Sequence, residues 1–537
     1  MSDSTPSAGN SEALSRRQRF GWWILCLAIV AVPLLSIDRP PILDLPQQLH
    51  QIPLFFAQIA SPHPELAIYP LAPNKLGYLP LGAAWLIGGT TWGPRLAALF
   101  VAMIWLGGLH WLGYRLRRPV SNLLLASAFL FSSPFYAGFF NFLVGMVALA
   151  FVLVDLSRPA AERSHLDLAL SSFAGAMLLY FAHALWFAAG LFIAGTLALL
   201  VRFSYRECLA RGLGVLPALA FAAHWGSGFG KTGWQTNIRQ EGTALERLTS
   251  LDLGSSLFLG GIRDASEQIV VLLALFWVAA GLLAAWRKKE GARVDPHLAI
   301  AGLVLIGLTL FLPYKLDKTI LLAWRWGPFA AAFLLLAVPE PPASPRLTRA
   351  LALVTLLGLA AANLKATLLY ARTELPGFDE SLRAIDSGSR VIGLDFSRTG
   401  PAIWIDPTFQ LFAYAALERG AELNFSFTEL PTSLVVHRDP DWRPAWVLGL
   451  EWYPDYVSAG DLGHFDFALV RAVSGVRERL EASFPTLAPI AGSGEWRTYR
   501  VDRRATAALP PGTRLFSAAE FRRWEKLNKQ LEAQRWK

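Results

Sequence analysis

The chain has little charge. Only 17% of its 537 residues are Asp, Glu, Lys or Arg, while 54% are hydrophobic. Soluble domains carry roughly a quarter charged residues, so an ordinary water-soluble enzyme is excluded. Cysteine is also scarce. Cys26 lies inside the first apolar block and Cys208 near the edge of another, which rules out a disulfide framework and leaves the redox compartment open. No Cys/His cluster has zinc spacing, so no metal site is assigned. The sequence requires no cofactor, and divalent-metal dependence stays open. There is no internal repeat, and low complexity is confined to the Ser/Gly/Ala-rich residues 1–15, which read as disordered. FGWWILCLAIVAVPLLSI follows Arg16, Arg17 and Arg19 but lacks an A-x-A cleavage site. It reads as a retained first helix, with residues 1–19 forming a cytoplasmic N-terminus.

What is abundant is apolar sequence in blocks near 20 residues, the length that crosses about 30 Å of hydrocarbon. Spans are expected near 20–37, 96–114, 121–136, 138–155, 166–182, 183–201, 208–225, 268–286, 297–313, 319–338 and 349–370. The fold class is therefore a polytopic α-helical membrane protein with about 11 transmembrane helices. The net charge of +9 follows the topology. Arg115, Arg117 and Arg118, then Arg158 and Arg163, Arg202, Arg206 and Arg211, Arg287, Lys288, Lys289 and Arg293, and Arg346 and Arg349 all fall in loops on one side. That is the positive-inside pattern, and it gives no reason to invoke nucleic acid. Residues 76–89 are apolar but too short for a crossing, and counting them would reverse every later loop. Residues 38–95 thus read as one outer loop with two membrane-parallel helices near 45–60 and 76–89.

After the transmembrane domain, 20–371, the composition changes. Short β-like runs at 389–396, 464–472 and 495–501 alternate with helical stretches such as 409–420. Residues 372–537 read as a soluble α/β or α+β extracytoplasmic domain. Its tail opens with a capping box, Ser517 to Glu520, and Phe521, Trp524, Leu527 and Leu531 form one stripe of an amphipathic C-terminal helix.

The residues with chemistry to offer lie in the outer loops. Asp44, in PILDLPQQLHQIPL, fits a helix N-cap with Pro46 in the first turn. It is also placed as a general base toward a hydroxyl. His50 and Gln47 share a face of that helix. Asp38, the second choice of acid, and Arg39 have a simpler role open to them, pairing with each other. Arg325, in LLAWRWGPFA, sits in or near the outer half of a span, where a guanidinium is costly; it suits a phosphate, or a pairing with Asp317. Lys315 and Lys318 flank Asp317 in a short outer loop. Gly226, Gly228, Gly230 and Lys231, followed by Arg239, lack Walker A spacing, so a phosphate nest and a loop are both open readings. His183 marks a break between two spans, His224 and Trp225 end another, and Asn141 suits a helix start.

The first outer loop with its acid (D-L-P-Q-Q-L-H), the P-L-G-A-A-W-L helix, G-P-R-L-A-A-L-F and R-L-R-R together resemble the GT-C superfamily of membrane glycosyltransferases, as does a many-span body ending in an outer domain. The resemblance covers much of the architecture through loose motifs. It implies transfer of a sugar from a polyprenyl-phosphate carrier to a glycolipid, polysaccharide or protein hydroxyl, with inversion, at the outer face of a bacterial inner membrane. It maps the catalytic acid onto Asp44. The basic residue often found before the P-L helix is nearest to Lys75, although the spacing departs from the family's pattern. A flippase or transporter and a non-catalytic assembly subunit are the competing classes. The first is disfavoured by the lack of repeated broken helices and by the few acids inside the spans.

Overall fold

The computed structural model describes residues 16–516 apart from 202, 203, 230–237, 241, 288–291, 317, 318, 398, 399, 440 and 511. Residues 1–15, Gly230, Lys231, Asp317, Lys318 and the tail 517–537 lie outside the described residues.

The chain is a multi-pass membrane protein. Six described helices are long and apolar enough to cross a bilayer: α1 (Arg16–Leu35), α3 (Tyr78–Arg115), α7 (His165–Ala182), α9 (Tyr205–Phe229), α12 (Ser266–Trp286) and α15 (Pro345–Thr373). Between them in sequence lie α2 (Leu45–Ala60), α4 (Val120–Ser127), α5 (Ser133–Tyr136), α6 (Phe140–Leu156), α8 (Ala184–Leu200), α10 (Ala244–Thr249), α11 (Leu251–Phe258), α13 (Pro296–Phe311) and α14 (Gly327–Ala337). Of these, α6, α8, α13 and α14 are apolar, as is the stretch Val120–Leu130 that begins with α4. Small residues set the packing distances, as they do wherever lipid supplies no hydrophobic drive between helices. A Cβ on Gly145 of α6 would lie 2.0 Å from Trp186 of α8, so that indole rests on bare backbone.

Two expected spans and one expected membrane-parallel helix differ from the reading. Residues 76–89 do not form a separate helix but open α3, which is interrupted at Gly89 (φ 54, ψ −143); only glycine adopts that pair readily. The 121–136 span gives way after Ser127 to a 3₁₀ turn, Ala128–Leu130, with extended backbone at Ser132 and Pro134 opening α5. The 319–338 span is helical only from Gly327, because Leu321 has φ 54 and the preceding residues turn rather than wind. Loop 226–267 holds α10 and α11, the first opened by a Thr243–Glu246 capping box.

The C-terminal domain is built on a mixed five-stranded sheet. The strands are β4 (Arg390–Asp395), β5 (Glu422–Leu423), β7 (Phe467–Arg471), β8 (Leu487–Ala491) and β9 (Trp496–Val501), in the order β5-β4-β7-β9-β8. β4 runs parallel to β5 and β7, while β9 is antiparallel to both its neighbours. The expected helix at 409–420 is a 3₁₀ turn, Pro407–Gln410, followed by Ala413–Arg419.

Several contacts tie this domain to one end of the helical bundle. β1 (Leu66–Ile68), just after α2, pairs antiparallel with β6 (Val435–His437). Residues 261–263 exchange backbone bonds with 402–404: Arg263 N–H donates to Ala402 O (2.9 Å) and Trp404 N–H to Gly261 O (3.1 Å). Arg39 pairs not with Asp38 but with Asp379 and Glu418, both at 2.7 Å, and lies 4.2 Å over the Tyr414 ring. Asp38 pairs instead with Arg95 at 2.9 Å. At the end of α15, Arg471 of β7 gathers Glu374, Asp395, Asp406 and Glu495 within 3.0–3.9 Å. The seam between bundle and domain runs along α2.

Candidate active site

Asp44 stands at the N-cap position of α2 but does not cap it. Its backbone is helical (φ −85, ψ −2) and its side chain makes no cap hydrogen bond. A capping side chain needs an extended backbone to fold back onto the first turn, and Pro46 has already removed one N–H. The capping reading of Asp44 is therefore corrected. What holds the residue is backbone: its N–H donates to Ala137 O (3.2 Å), and its carbonyl accepts from Gln48 N–H (2.9 Å). Gly138 (φ +77) lies so close that a Cβ there would be 3.0 Å from Asp44 N and Cβ. Burial pushes the carboxyl up to about 7, with Arg325 pulling against that rise. A base operating near neutral pH is tuned this way.

Arg325 lies outside the helix that follows it, in the turn two residues before α14, and the residue is only 8% exposed. The guanidinium donates from Nη2 to Ile320 O at 3.0 Å, while its buried Nε has no partner. It lies 3.8 Å over the Phe139 ring and 5.8 Å from that of Phe142. Phe139 immediately precedes α6, and Phe142 is in its first turn. Phe142 also meets His183 edge-on at 5.1 Å, and His183 both ends α7 and caps α8 through Nδ1, which accepts from Leu185 N–H (3.1 Å). The N-termini of α6, α8 and α14 thus converge around one under-bonded guanidinium. Each N-terminus carries about half a positive charge, and such ends bind anions. Among the described residues Asp44 makes no direct ion pair with this cluster and interacts with Arg325 by charge at longer range.

The segment P-N-K-L-G-Y frames the site. Asn74 (φ 64) accepts from Ala184 N–H (2.9 Å), Leu76 N–H donates to Phe181 O (3.0 Å), and Gly77 N–H donates to Asn141 Oδ1 (2.8 Å). Lys75 gives its ammonium to the carbonyls of Thr432 and Ser433 in the C-terminal domain, and burial lowers it to about 7. It is spent on the seam, not held out toward a ligand. Asn141 accepts a loop N–H and does not cap its own helix.

The other expected residues are dispersed. His50 is half-buried in α2, lowered by desolvation to about 4, and its Nδ1 has no partner among the described residues. Lys315 sits in β3 (Lys315–Leu316), paired with Ile238–Arg239, so Arg239 stands opposite it. His224 is exposed on α9. Among the described residues, no group of three or more His, Cys, Asp or Glu side chains is arranged to hold a metal ion.

Sequence reasoning missed Tyr78, which adjoins Asp44 electrostatically and Ser433 by hydrogen bonding. It also missed Gln48 and Gln51. The available signal was three amides, Gln47, Gln48 and Gln51, at helical spacing in an otherwise apolar helix.

No family model and no curated protein matches the sequence. Among solved structures, the arabinofuranosyltransferase AftD from mycobacteria superposes with a TM-score of 0.51 at 16% identity, over 92% of this chain and 40% of AftD. This chain therefore spans well under half the length of that protein. ArnT from Cupriavidus metallidurans superposes at TM-scores of 0.46 bound to undecaprenyl phosphate and 0.48 in the apo state, both at 13% identity. These matches cover 91% and 92% of this chain and 99% and 100% of ArnT. A multi-pass helical bundle with a sheet domain over one end is the fold of this chain, and it is similar to that of AftD.

Proposed function

We propose that the protein is a membrane glycosyltransferase that moves a sugar from a polyprenyl-phosphate carrier to a hydroxyl acceptor. The observation that carries this reading is Arg325: a buried guanidinium that makes one hydrogen bond among the described residues, ringed by three helix N-termini, across from a carboxylate that caps nothing. A buried cation so poorly bonded is costly unless an anion completes it. The fold shared with AftD supports the same class of chemistry.

In this reading Arg325 binds the carrier phosphate. Asp44 accepts the acceptor's proton as that oxygen bonds to the anomeric carbon. The anomeric C–O bond to phosphate breaks, and its electron pair leaves on the polyprenyl phosphate, which gains one negative charge that Arg325 stabilises. Attack from the face opposite the phosphate inverts the anomeric centre. An anionic donor beside Arg325 offsets the cation that holds Asp44 down, making Asp44 a stronger base once the donor is bound. The distribution of arginines supports a non-cytoplasmic position for the C-terminal domain, and hence for the site, in a bacterial inner membrane. Lys315, Lys318 and Lys231 remain proposed donor-side cations and His50 a proposed substrate-side residue, while Lys75 is committed to the seam.

The test is mass spectrometry of envelope glycans and glycolipids from cells carrying the wild type or Asp44→Asn. Loss of one sugar from a defined product, with the variant present in the membrane at normal level, supports the reading. An unchanged product overturns the assignment of Asp44.

A further inference from the structure

The face of α2 that begins with Asp44 carries two more polar groups, each half-bonded. Gln48 is 5% exposed and Gln51 fully buried. Gln48 donates from Nε2 to Gly138 O, while its Oε1 has no partner. Gln51 accepts at Oε1 from Val435 N–H (2.8 Å), while its Nε2 has no partner. In each amide the bonded end fixes which atom points away, so the unpaired ends are set: an acceptor at Gln48 and a donor at Gln51. Gln47, by contrast, is satisfied at both ends, through Gln410, Phe425 O and Phe427 N–H.

Positions i, i+4 and i+7 share one side of a helix. At 1.5 Å per residue, the row from Asp44 to Gln51 extends about 10 Å. A buried amide atom left unpaired costs about 1–3 kcal/mol, and two on the face of the candidate base call for a partner. An acceptor, an acceptor and a donor in a row of that length match a saccharide, which offers adjacent hydroxyls able both to donate and to accept. A lone serine or threonine hydroxyl reaches Asp44 and leaves both amides unpaired. Charged groups are a poor match to two neutral amides.

Resting on the glycosyltransferase reading, we propose that α2 is the acceptor-reading element and that the acceptor is a saccharide. One hydroxyl addresses Asp44 as nucleophile, a neighbouring hydroxyl donates to Gln48 Oε1, and a further sugar oxygen accepts from Gln51 Nε2. In the form seen here both amide atoms are covered, so the acceptor must part the seam between α2 and the C-terminal domain to reach them.

The test uses the full chain in lipid nanodiscs and saturation-transfer NMR. The probes are tetrasaccharides of arabinan, mannan, galactan and glucan, with Ser/Thr peptides beside them. Undecaprenyl phosphate is titrated separately. At least one tetrasaccharide should bind the wild type, and the peptides should not. Gln48→Met and Gln51→Met should each weaken that binding by about 10-fold, the value of one lost hydrogen bond, with undecaprenyl phosphate binding unchanged. Gln51→Asn keeps a neutral amide and draws the unpaired donor back by one methylene, so it repeats the test should a methionine variant misfold. Peptide binding in place of saccharide binding, or saccharide binding indifferent to both glutamines, would overturn the inference. Failure of undecaprenyl phosphate to bind the wild type would instead strike the underlying glycosyltransferase reading.

Discussion

Replacing Arg325 with glutamine should abolish carrier binding without unfolding the protein. The guanidinium has five N–H donors; Ile320 O takes one at 3.0 Å and Nε has no partner. A phosphate accepting two charge-assisted bonds contributes about 1.5–3 kcal/mol through each. Their joint loss is about 3–6 kcal/mol, or roughly 10²–10⁴-fold in affinity. Folding should move the other way or hardly at all, because the free protein sheds a buried cation that has little to bond to. Arg325→Lys should fall between, keeping the charge but losing the fork that grips two oxygens. Native mass spectrometry of the purified chain with undecaprenyl phosphate measures the affinity, and a melting curve in the same detergent measures the fold. Binding by the glutamine variant within twofold of wild type, with an unchanged melting point, would refute the phosphate role.

Sugar transfer should rise with pH through about 7, because burial lifts Asp44 to that value and only the ionised carboxylate can take a proton. Arg325→Gln removes a pull that lowers Asp44, so any residual activity should show its acid limb displaced upward; an acid limb near 4 would contradict the burial argument. Gly138→Ala should cost about 1–2 kcal/mol from its left-handed backbone and should also lower turnover, since the new Cβ meets Asp44 N at 3.0 Å; thermal melting and transfer rate read the two effects. Arg39→Ala should loosen the C-terminal domain, seen as faster limited proteolysis at the seam. The loss should be about 1–3 kcal/mol and come mainly from Glu418, since Asp379 is 63% exposed and contributes less.

The bundle was legible because lipid imposes its own period. Uninterrupted apolar stretches such as 166–182 and 183–201 correspond to α7 and α8 within two residues, and the break at His183 was visible as a polar residue between them. The strands of the C-terminal domain were legible for a similar reason: 389–396, 464–472 and 495–501 contain β4, β7 and β9. What failed was the assumption that apolar residues near a site stay helical. LLAWRWGPFA is apolar enough to span, yet Leu321 turns the chain and leaves Arg325 in a loop. Hydropathy carries no information on φ. The seam was illegible for a different reason. Arg39 meets partners some 340 and 379 residues away, and no local pattern announces a contact at that separation. The same holds for Lys75, which has the composition of a phosphate ligand but is used by two carbonyls of the distant domain. Asp44 was found as a helix-heading acid; that it heads the helix without capping it depends on one backbone angle.

The most direct measurement is an experimental structure of the full chain with undecaprenyl phosphate. The account predicts the phosphate within about 2.7–3.0 Å of Arg325 nitrogens, with Asp44 opening onto the same hollow. A phosphate bound elsewhere, or a wall of side chains between Asp44 and that hollow, would contradict it.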